Sequence, residues 1–320
     1  MKVSVIIPVR DSELYLEGCI RNLEGQSFRD FETIFVIDSR SSDGSESFLK
    51  SLDPSRYRTV VQEDDTMVSG ARNIGFTEAQ GGYIWFLDVD DTPHPEFLKT
   101  MVGLLESEGA DFVACNFVYN HPGTEPPKAP AHVRVDSYSG IEALVAMNNG
   151  RLSANVWDKL FKSSLIRENS IRFERGYSED YHFVSAACIA SSKVAYTSRP
   201  LYLYNLNKSS RSWHRGDDIA RKDVEIFESF LPVVKESSPD RYAEFCNASV
   251  RHLMRSMTVA SKEVFMELVR RESIQGSLRY CRHSGAEMLT FRLWPSLYYR
   301  VGRHCRDRRY SRGSFLFDPS

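Results

Sequence analysis

Few folds accept the order in which this chain exchanges short β-branched apolar runs for helical patterns. Val3–Val9 is such a run, closed by Pro8, and a helical pattern capped by Ser12 follows to about Gly25 on Leu14, Leu16, Cys19, Ile20 and Leu23. Phe31–Ile37 reads as the second strand, Asp43–Leu52 as a short helix and Thr59–Val61 as the third strand. A helix then begins at Ser69, turns Ala71, Ile74, Gly75 and Ala79 toward the core, and stops at Gly81 and Gly82. Tyr83–Leu87 is the fourth strand, Pro95–Glu108 the next helix and Asp111–Tyr119 the fifth strand. Strands alternating with helices of this length predict an α/β fold on a doubly wound, mainly parallel sheet.

After that strand the punctuation changes. His121–Ala131 carries Pro122, Pro126, Pro127 and Pro130 and reads as a loop able to act as a flap. Ser139–Asn149 and the segment around Ser178–Ala190 have helical patterns, while Val194–Thr197 and Leu201–Tyr204 look like two short strands. From about Asp217 helical patterns dominate. The expected division is therefore an α/β domain over 1–216, with halves of about 1–118 and 119–216, and a helical C-terminal region over 217–320.

With 320 residues, 42% of them hydrophobic, the chain can bury a sizeable core, and a formal net charge of −2 gives no global attraction to nucleic acid. Six scattered cysteines without paired spacing read as free thiols in a reducing compartment. The apolar N-terminal stretch is too short for a signal peptide, and no window reaches the roughly 18 apolar residues of a membrane span. The expected location is the cytoplasm, or the inner face of the plasma membrane. Arg292–Arg312 holds seven arginines and one acid, Asp307, among Trp294, Leu297, Tyr298, Tyr299 and Val301. It is either a basic surface helix or a peripheral anchor on anionic lipid. Apolar helices beyond residue 217 also leave room for a homo-oligomer.

Two apolar strands end in acid: Phe31–Ile37 in Asp38, and Tyr83–Leu87 in Asp88, with Asp90 and Asp91 close behind. In an open α/β sheet ligands sit beyond the carboxyl ends of the strands. Crowded carboxylates repel one another unless a cation joins them, and Mg²⁺ or Mn²⁺ bridges such oxygens to a diphosphate. Asp90 is the best metal ligand, Asp88 contacts the ion or the ribose, and Asp91 reads as a helix cap ahead of Pro93 and Pro95. The helix opened by Ser69-Gly70-Ala71-Arg72 has free N–H groups suited to anions, and Arg72 approaches the nucleotide or is an ordinary surface arginine.

V-S-V-I-I-P-V at 3–9, A-R-N-x-G at 71–75, Y-I-W-F-L-D-V-D-D at 83–91 and the following P-x-F-L resemble the family 2 glycosyltransferases of GT-A fold. The likeness continues more weakly through V-W-D-K-L-F at 156–161, S-E-D-Y-H-F at 178–183 and P-L-Y-L-Y at 200–204. It implies inverting transfer of a sugar from a nucleotide-diphosphate sugar, usually UDP-linked, to a hydroxyl of a glycan or lipid-linked acceptor, as in bacterial surface polysaccharide synthesis. Asp38 would read the nucleobase, Pro8, Val9, Arg72 and Asp88 would line the donor site, and Asp180, with Glu179 beside it, would be the catalytic base.

Lys208 and Arg211 would close over the diphosphate, and His214 is either a further metal ligand or a structural histidine. Trp157 is an acceptor-stacking wall or core packing. The chain departs from the family pattern at Arg10 and Asp11, at Asp38-Ser39-Arg40-Ser41-Ser42, which lacks the usual second acid and glycine, and at Asn205, where an arginine often stands. Two competing readings are a sugar nucleotidyltransferase, disfavoured by the absence of glycine in Pro8–Ser12, and a non-catalytic nucleotide-sugar-binding domain, disfavoured by Asp88, Asp90, Glu179 and Asp180 occurring together.

Overall fold

The computed structural model describes residues 1–120, 132–206, 216–281, 285–293 and 295–311, the side chains of 285, 286, 289 and 304–311 excepted. The chain forms two compact units: Met1–Gly140 with Ala154–Leu206, and Ile141–Ser153 with Asn207–Ser320.

The first unit is built on β1 (Val3–Val9), β2 (Phe31–Asp38), β3 (Tyr57–Gln62) and β4 (Tyr83–Phe86), with α1 (Glu13–Glu24), α2 (Ser45–Ser51) and α3 (Met67–Glu78) as crossovers. These four strands are mutually parallel in the order β3-β2-β1-β4, with Val3 opposite Phe31 and Tyr83, and Val9 opposite Ile37. β1, β2 and β4 are buried on both faces and read as nearly continuous apolar runs, while β3 lies at the sheet edge with Arg58, Thr59 and Val61 exposed. Their carboxyl ends share one edge, which puts Val9, Asp38 and the residues after Phe86 side by side.

Gly75 explains how closely α3 approaches the sheet. A Cβ there would lie 2.4 Å from Cγ2 of Ile6 on β1 and 3.1 Å from Cγ2 of Val36 on β2. Only a bare Cα lets the helix lie this close to the strands, and this fixes which of its residues reach the strand ends.

Beyond β4 the sheet turns mixed. The short β5 (Thr92–Pro93) precedes α4 (Phe97–Glu108), which buries Phe97, Leu98, Met101, Val102 and Leu105 and ends at Gly109 in the left-handed conformation, φ +63°. Next come β6 (Phe112–Asn120), β7 (Val135–Tyr138), α5 (Gly140–Asn148), β8 (Lys159–Lys162), α6 (Ser163–Glu168), α7 (Glu179–Ala190) and β9 (Val194–Asn205). Among the described residues the order continues from β4 through β8, β6 and β9 to β5, with β7 also on β9. β8 is antiparallel to both β4 and β6, while β6 and β9 are parallel.

The two short strands expected at Val194–Thr197 and Leu201–Tyr204 are one strand. Its register against β6 shifts opposite Cys115–Phe117, where Pro200 has no N–H to give the ladder. The irregularity made the stretch look broken.

In the second unit, residues 141–148 of α5 join α8 (Asp217–Ser237), α9 (Tyr242–Met257), α10 (Lys262–Val269), α11 (Glu272–Ser277), α12 (Gly285–Leu293) and α13 (Pro295–Ser311). Phe227, Phe245, Leu253, Phe265 and Phe291 are buried there, and the Asn148 amide donates to Ser249 Oγ at 2.9 Å. Of the cysteines, Cys19, Cys115, Cys188 and Cys246 are buried free thiols, and burial pushes Cys19 and Cys188 up to about 12. Among the described residues no helix is long and apolar enough to cross a membrane.

Candidate active site

Three elements meet on one guanidinium. Arg72 lies in the second turn of α3 and is 3% exposed, so it is neither an ordinary surface arginine nor a free helix N-terminus. Its Nη1 donates to Asp180 Oδ1 at 2.6 Å and lies 3.5 Å from Glu179 Oε1, and its Nη2 donates to Asp88 Oδ1 at 2.9 Å. The guanidinium also lies over the Phe173 ring, 5.2 Å from its centroid, and its buried Nε has no acceptor among the described residues. Asp88 comes from the exit of β4, Glu179 and Asp180 from the first turn of α7. One buried cation among three carboxylates leaves an excess of negative charge.

Burial therefore pushes the Asp180 carboxyl up, to about 7, with Glu179 and Asp88 adding to the shift while Arg72 and the Val156 N–H oppose it. Ser178 does not cap the helix: it sits at the N-cap position in the left-handed region, φ +57°, with no capping bond from its side chain. A non-glycine residue held there is strained, and such strain persists where surrounding contacts dictate the backbone.

The segment that leads into α7 is held by α3. The Asn73 amide donates to the Phe173 carbonyl at 2.9 Å and its Oδ1 accepts the Phe173 N–H at 3.0 Å, while Ser69 Oγ donates to the Glu174 carbonyl at 2.7 Å. The A-R-N-x-G stretch thus does three jobs: Gly75 seats the helix, Asn73 clamps the segment before α7, and Arg72 holds the acids. Asn73 was not among the expected site residues. Its signal was a polar side chain on the buried face of a helix.

Asp38 ends β2 and is 4% exposed. Its Oδ1 accepts the Arg40 backbone N–H at 3.0 Å and Arg40 Nε at 2.8 Å. Its Oδ2 accepts Arg40 Nη2 at 2.7 Å and Arg10 Nη1 at 3.4 Å. The Arg40 fork holds the Asp38 carboxyl below the usual range. Arg40 also pairs with Asp65, which Arg175 approaches to 3.4 Å. Asp11, at φ +46°, accepts the Ser42 N–H at 2.8 Å and so joins the β1 and β2 exits. Pro8 and Val9 lie at the end of β1, opposite Val36 and Ile37.

Asp91 is not a helix cap, because α4 starts later, with Glu96 at its N-cap position. Asp91 is buried, accepting Tyr202 Oη at 2.9 Å on Oδ2 and the Asn205 N–H at 2.9 Å on Oδ1. Burial, with Asp88 and Asp90 nearby, raises its carboxyl well above the ordinary value. The Asn205 amide donates to the Asp90 carbonyl at 2.7 Å and to Thr92 Oγ1 at 3.0 Å. Asn205, where an arginine often stands in the family, is thus a latch on the acidic turn.

Trp157 is 3% exposed and packs in an aromatic cluster, stacked with Tyr202 at 4.4 Å and Tyr204 at 5.3 Å between centroids. That is a core position rather than an open wall. Among the described residues no group of three or more His, Cys, Asp or Glu is arranged to hold a metal ion. Asp88 and Asp90 offer hard oxygens, a donor set that fits Mg²⁺ or Mn²⁺ sharing its coordination with substrate phosphates. Lys208, Arg211 and His214 lie outside the described residues, as does the 121–131 loop.

Residues 4–162 match the family model described as Glycosyl transferase family 2. The chain is 28% identical over 223 residues to Glycosyltransferase GlyA of Streptococcus pneumoniae, covering 66% of this chain and 31% of that protein. It is 28% identical over 212 residues to the poly(ribitol-phosphate) beta-glucosyltransferase of Bacillus spizizenii, covering 64% of this chain and 32% of that one. The chain thus spans about a third of the length of these two curated relatives. Among solved structures, S. aureus TarS 1-349 in complex with UDP-GlcNAc superposes with a TM-score of 0.66 at 18% identity, covering 99% of this chain and 93% of that one. The fold is of the GT-A type.

Proposed function

Since the chain belongs to glycosyl transferase family 2, we propose that it is an inverting glycosyltransferase. It would move a sugar from a nucleotide-diphosphate donor, UDP-linked, to a hydroxyl of a glycan or lipid-linked acceptor in bacterial surface polysaccharide synthesis. The observation that carries this reading is the Arg72 cluster: a carboxyl on α7, pushed up to about 7, beside the acidic exit of β4.

A base must accept the acceptor's proton as the oxygen attacks, and it works best with its pKa near the working pH. Asp180 meets that condition. Arg72 holds its Oδ1 and the Val156 N–H its Oδ2, so the carboxylate is aimed before substrate arrives. Glu179, 3.5 Å from Arg72, adds negative charge that keeps Asp180 basic. Asp88 and Asp90 would hold Mn²⁺ or Mg²⁺, which would neutralise charge on the departing diphosphate. The UDP-GlcNAc complex of TarS and the poly(ribitol-phosphate) relative support the donor and acceptor classes.

Peripheral membrane contact is supported by exposed Leu293, Leu297 and Val301 beside exposed Arg292, Arg300 and Arg303 on α12 and α13.

The test is thermal denaturation with UDP, GDP, CDP or dTDP, each with Mn²⁺, Mg²⁺ or EDTA. A nucleotide at about 100 times its dissociation constant adds about 2.7 kcal/mol to the folded state. Stabilisation by UDP that EDTA abolishes is the expected result; no metal-dependent shift with any nucleotide would overturn the donor-site reading.

A further inference from the structure

A carboxylate offers about four lone-pair directions, and at Asp38 all four face N–H donors. Arg40 supplies three of them, its backbone N–H, Nε and Nη2, and Arg10 supplies the fourth from 3.4 Å. The fork is anchored at its far side, since Arg40 also pairs with Asp65 and donates to the Asp64 carbonyl at 3.4 Å. Arg40 therefore bridges the exit of β2 to the segment ahead of α3, with 35% of its side chain exposed toward solvent.

We propose that Arg40 is a specificity-determining residue that weakens discrimination among nucleobases by occupying Asp38. The inference rests on the donor-site reading above, in which the base of the nucleotide sits at Asp38. A uracil presents a ring N–H between two carbonyls, and a free carboxylate would accept that N–H in a charge-assisted bond. A cytosine presents a ring nitrogen lone pair at the same place, which a free carboxylate repels. With its acceptor directions filled, Asp38 neither gains much from the first nor strongly rejects the second. A base N–H enters only by displacing a donor, and the weakly held Arg10, 53% exposed, is the one that yields. The fork stays, because bidentate arginine–carboxylate pairs are among the stronger polar contacts.

The experiment is calorimetric titration of UDP and CDP, in excess Mn²⁺, into the wild type, Arg40→Ser and Arg40→Lys. Freeing Asp38 should raise the ratio of UDP to CDP affinity by about tenfold or more in Arg40→Ser, the weight of one hydrogen bond to a charged group. Arg40→Lys keeps the charge but not the planar fork, so the ratio should rise by less, in the same direction. Should the serine variant fail to fold, the lysine variant carries the test. If both nucleotides bind and the ratio stays within about twofold in the variants, Arg40 does not set specificity and this proposal falls while the donor site stands. If neither nucleotide binds the wild type, the donor-site reading itself fails and takes the proposal with it.

Discussion

Replacing Asp180 by Asn tests the site most directly, because it removes a charge and almost no volume. With its carboxyl pushed up to about 7, Asp180 is about one-tenth ionised at about pH 6 and about nine-tenths ionised at about pH 8. A reaction that needs the ionised form should accelerate nearly tenfold over that span in the wild type. Asp180→Asn should be slower by about 10²–10⁴ at the upper end, the usual contribution of a general base, and its rate should not follow this limb. The assay is nucleotide release from UDP-sugars, with water as acceptor where no glycan is supplied.

Stability supplies a second readout. A carboxyl whose folded value lies above its unfolded value binds extra protons in the fold, so the native state loses stability as pH rises from about 4 to about 7. Three pH units correspond to at most about 4 kcal/mol, and Asp180→Asn should escape that loss. If Asp180→Asn keeps activity within about tenfold of wild type together with the same pH limb, the base is another group, and Glu179 would be next.

Arg72→Met should cost about 3–5 kcal/mol in urea unfolding, since it leaves Asp88, Glu179 and Asp180 without their buried partner, and a loss below about 1 kcal/mol would contradict the cluster. Gly75→Ala should destabilise by about 1–3 kcal/mol, because its Cβ meets Ile6 at 2.4 Å, and an unchanged melting temperature would mean that α3 is less closely seated than described. Asp91→Asn keeps the shape that Tyr202 and the Asn205 N–H bond to, while removing a carboxyl raised by burial. Its melting temperature relative to wild type should therefore climb as pH rises above about 4, and a difference independent of pH would refute the assignment.

The parallel half of the sheet was legible because its information is local. Apolar runs, helix-length spacings and acids at strand exits lie within short windows, and they place β1 to β4 and α1 to α4 to within a few residues. What was not legible depends on partners far along the chain. Arg72 meets Asp180 across a separation of 108 residues, and Asp91 meets Tyr202 across 111, so the first read as a helix-end arginine and the second as a cap. The single strand β9 was hidden by Pro200, whose local signal is a break although β6 supplies a continuous partner. Trp157 looks alike in sequence whether it faces a sugar or a core, and its neighbours Tyr202 and Tyr204 decide for the core. Arg40 was visible as a departure from the family pattern, but its fork on Asp38 was not.

The place of β9 also bears on how the chain is made. Among the described residues it is the last strand in chain order, made after β1 to β8, yet it lies inside the sheet, between β6 and β5. Asp91 and its partner Asn205 are 114 residues apart, so at ordinary rates of synthesis the acidic turn waits on the order of ten seconds for its latch. Through that interval β6 has an open edge, the kind of surface on which nascent chains pair wrongly. Without burial Asp91 keeps an ordinary acidity and stays charged beside Asp88 and Asp90. Until β9 arrives, the three carboxylates of that turn repel one another without the Tyr202 hydroxyl and the Asn205 N–H that Asp91 accepts in the finished fold.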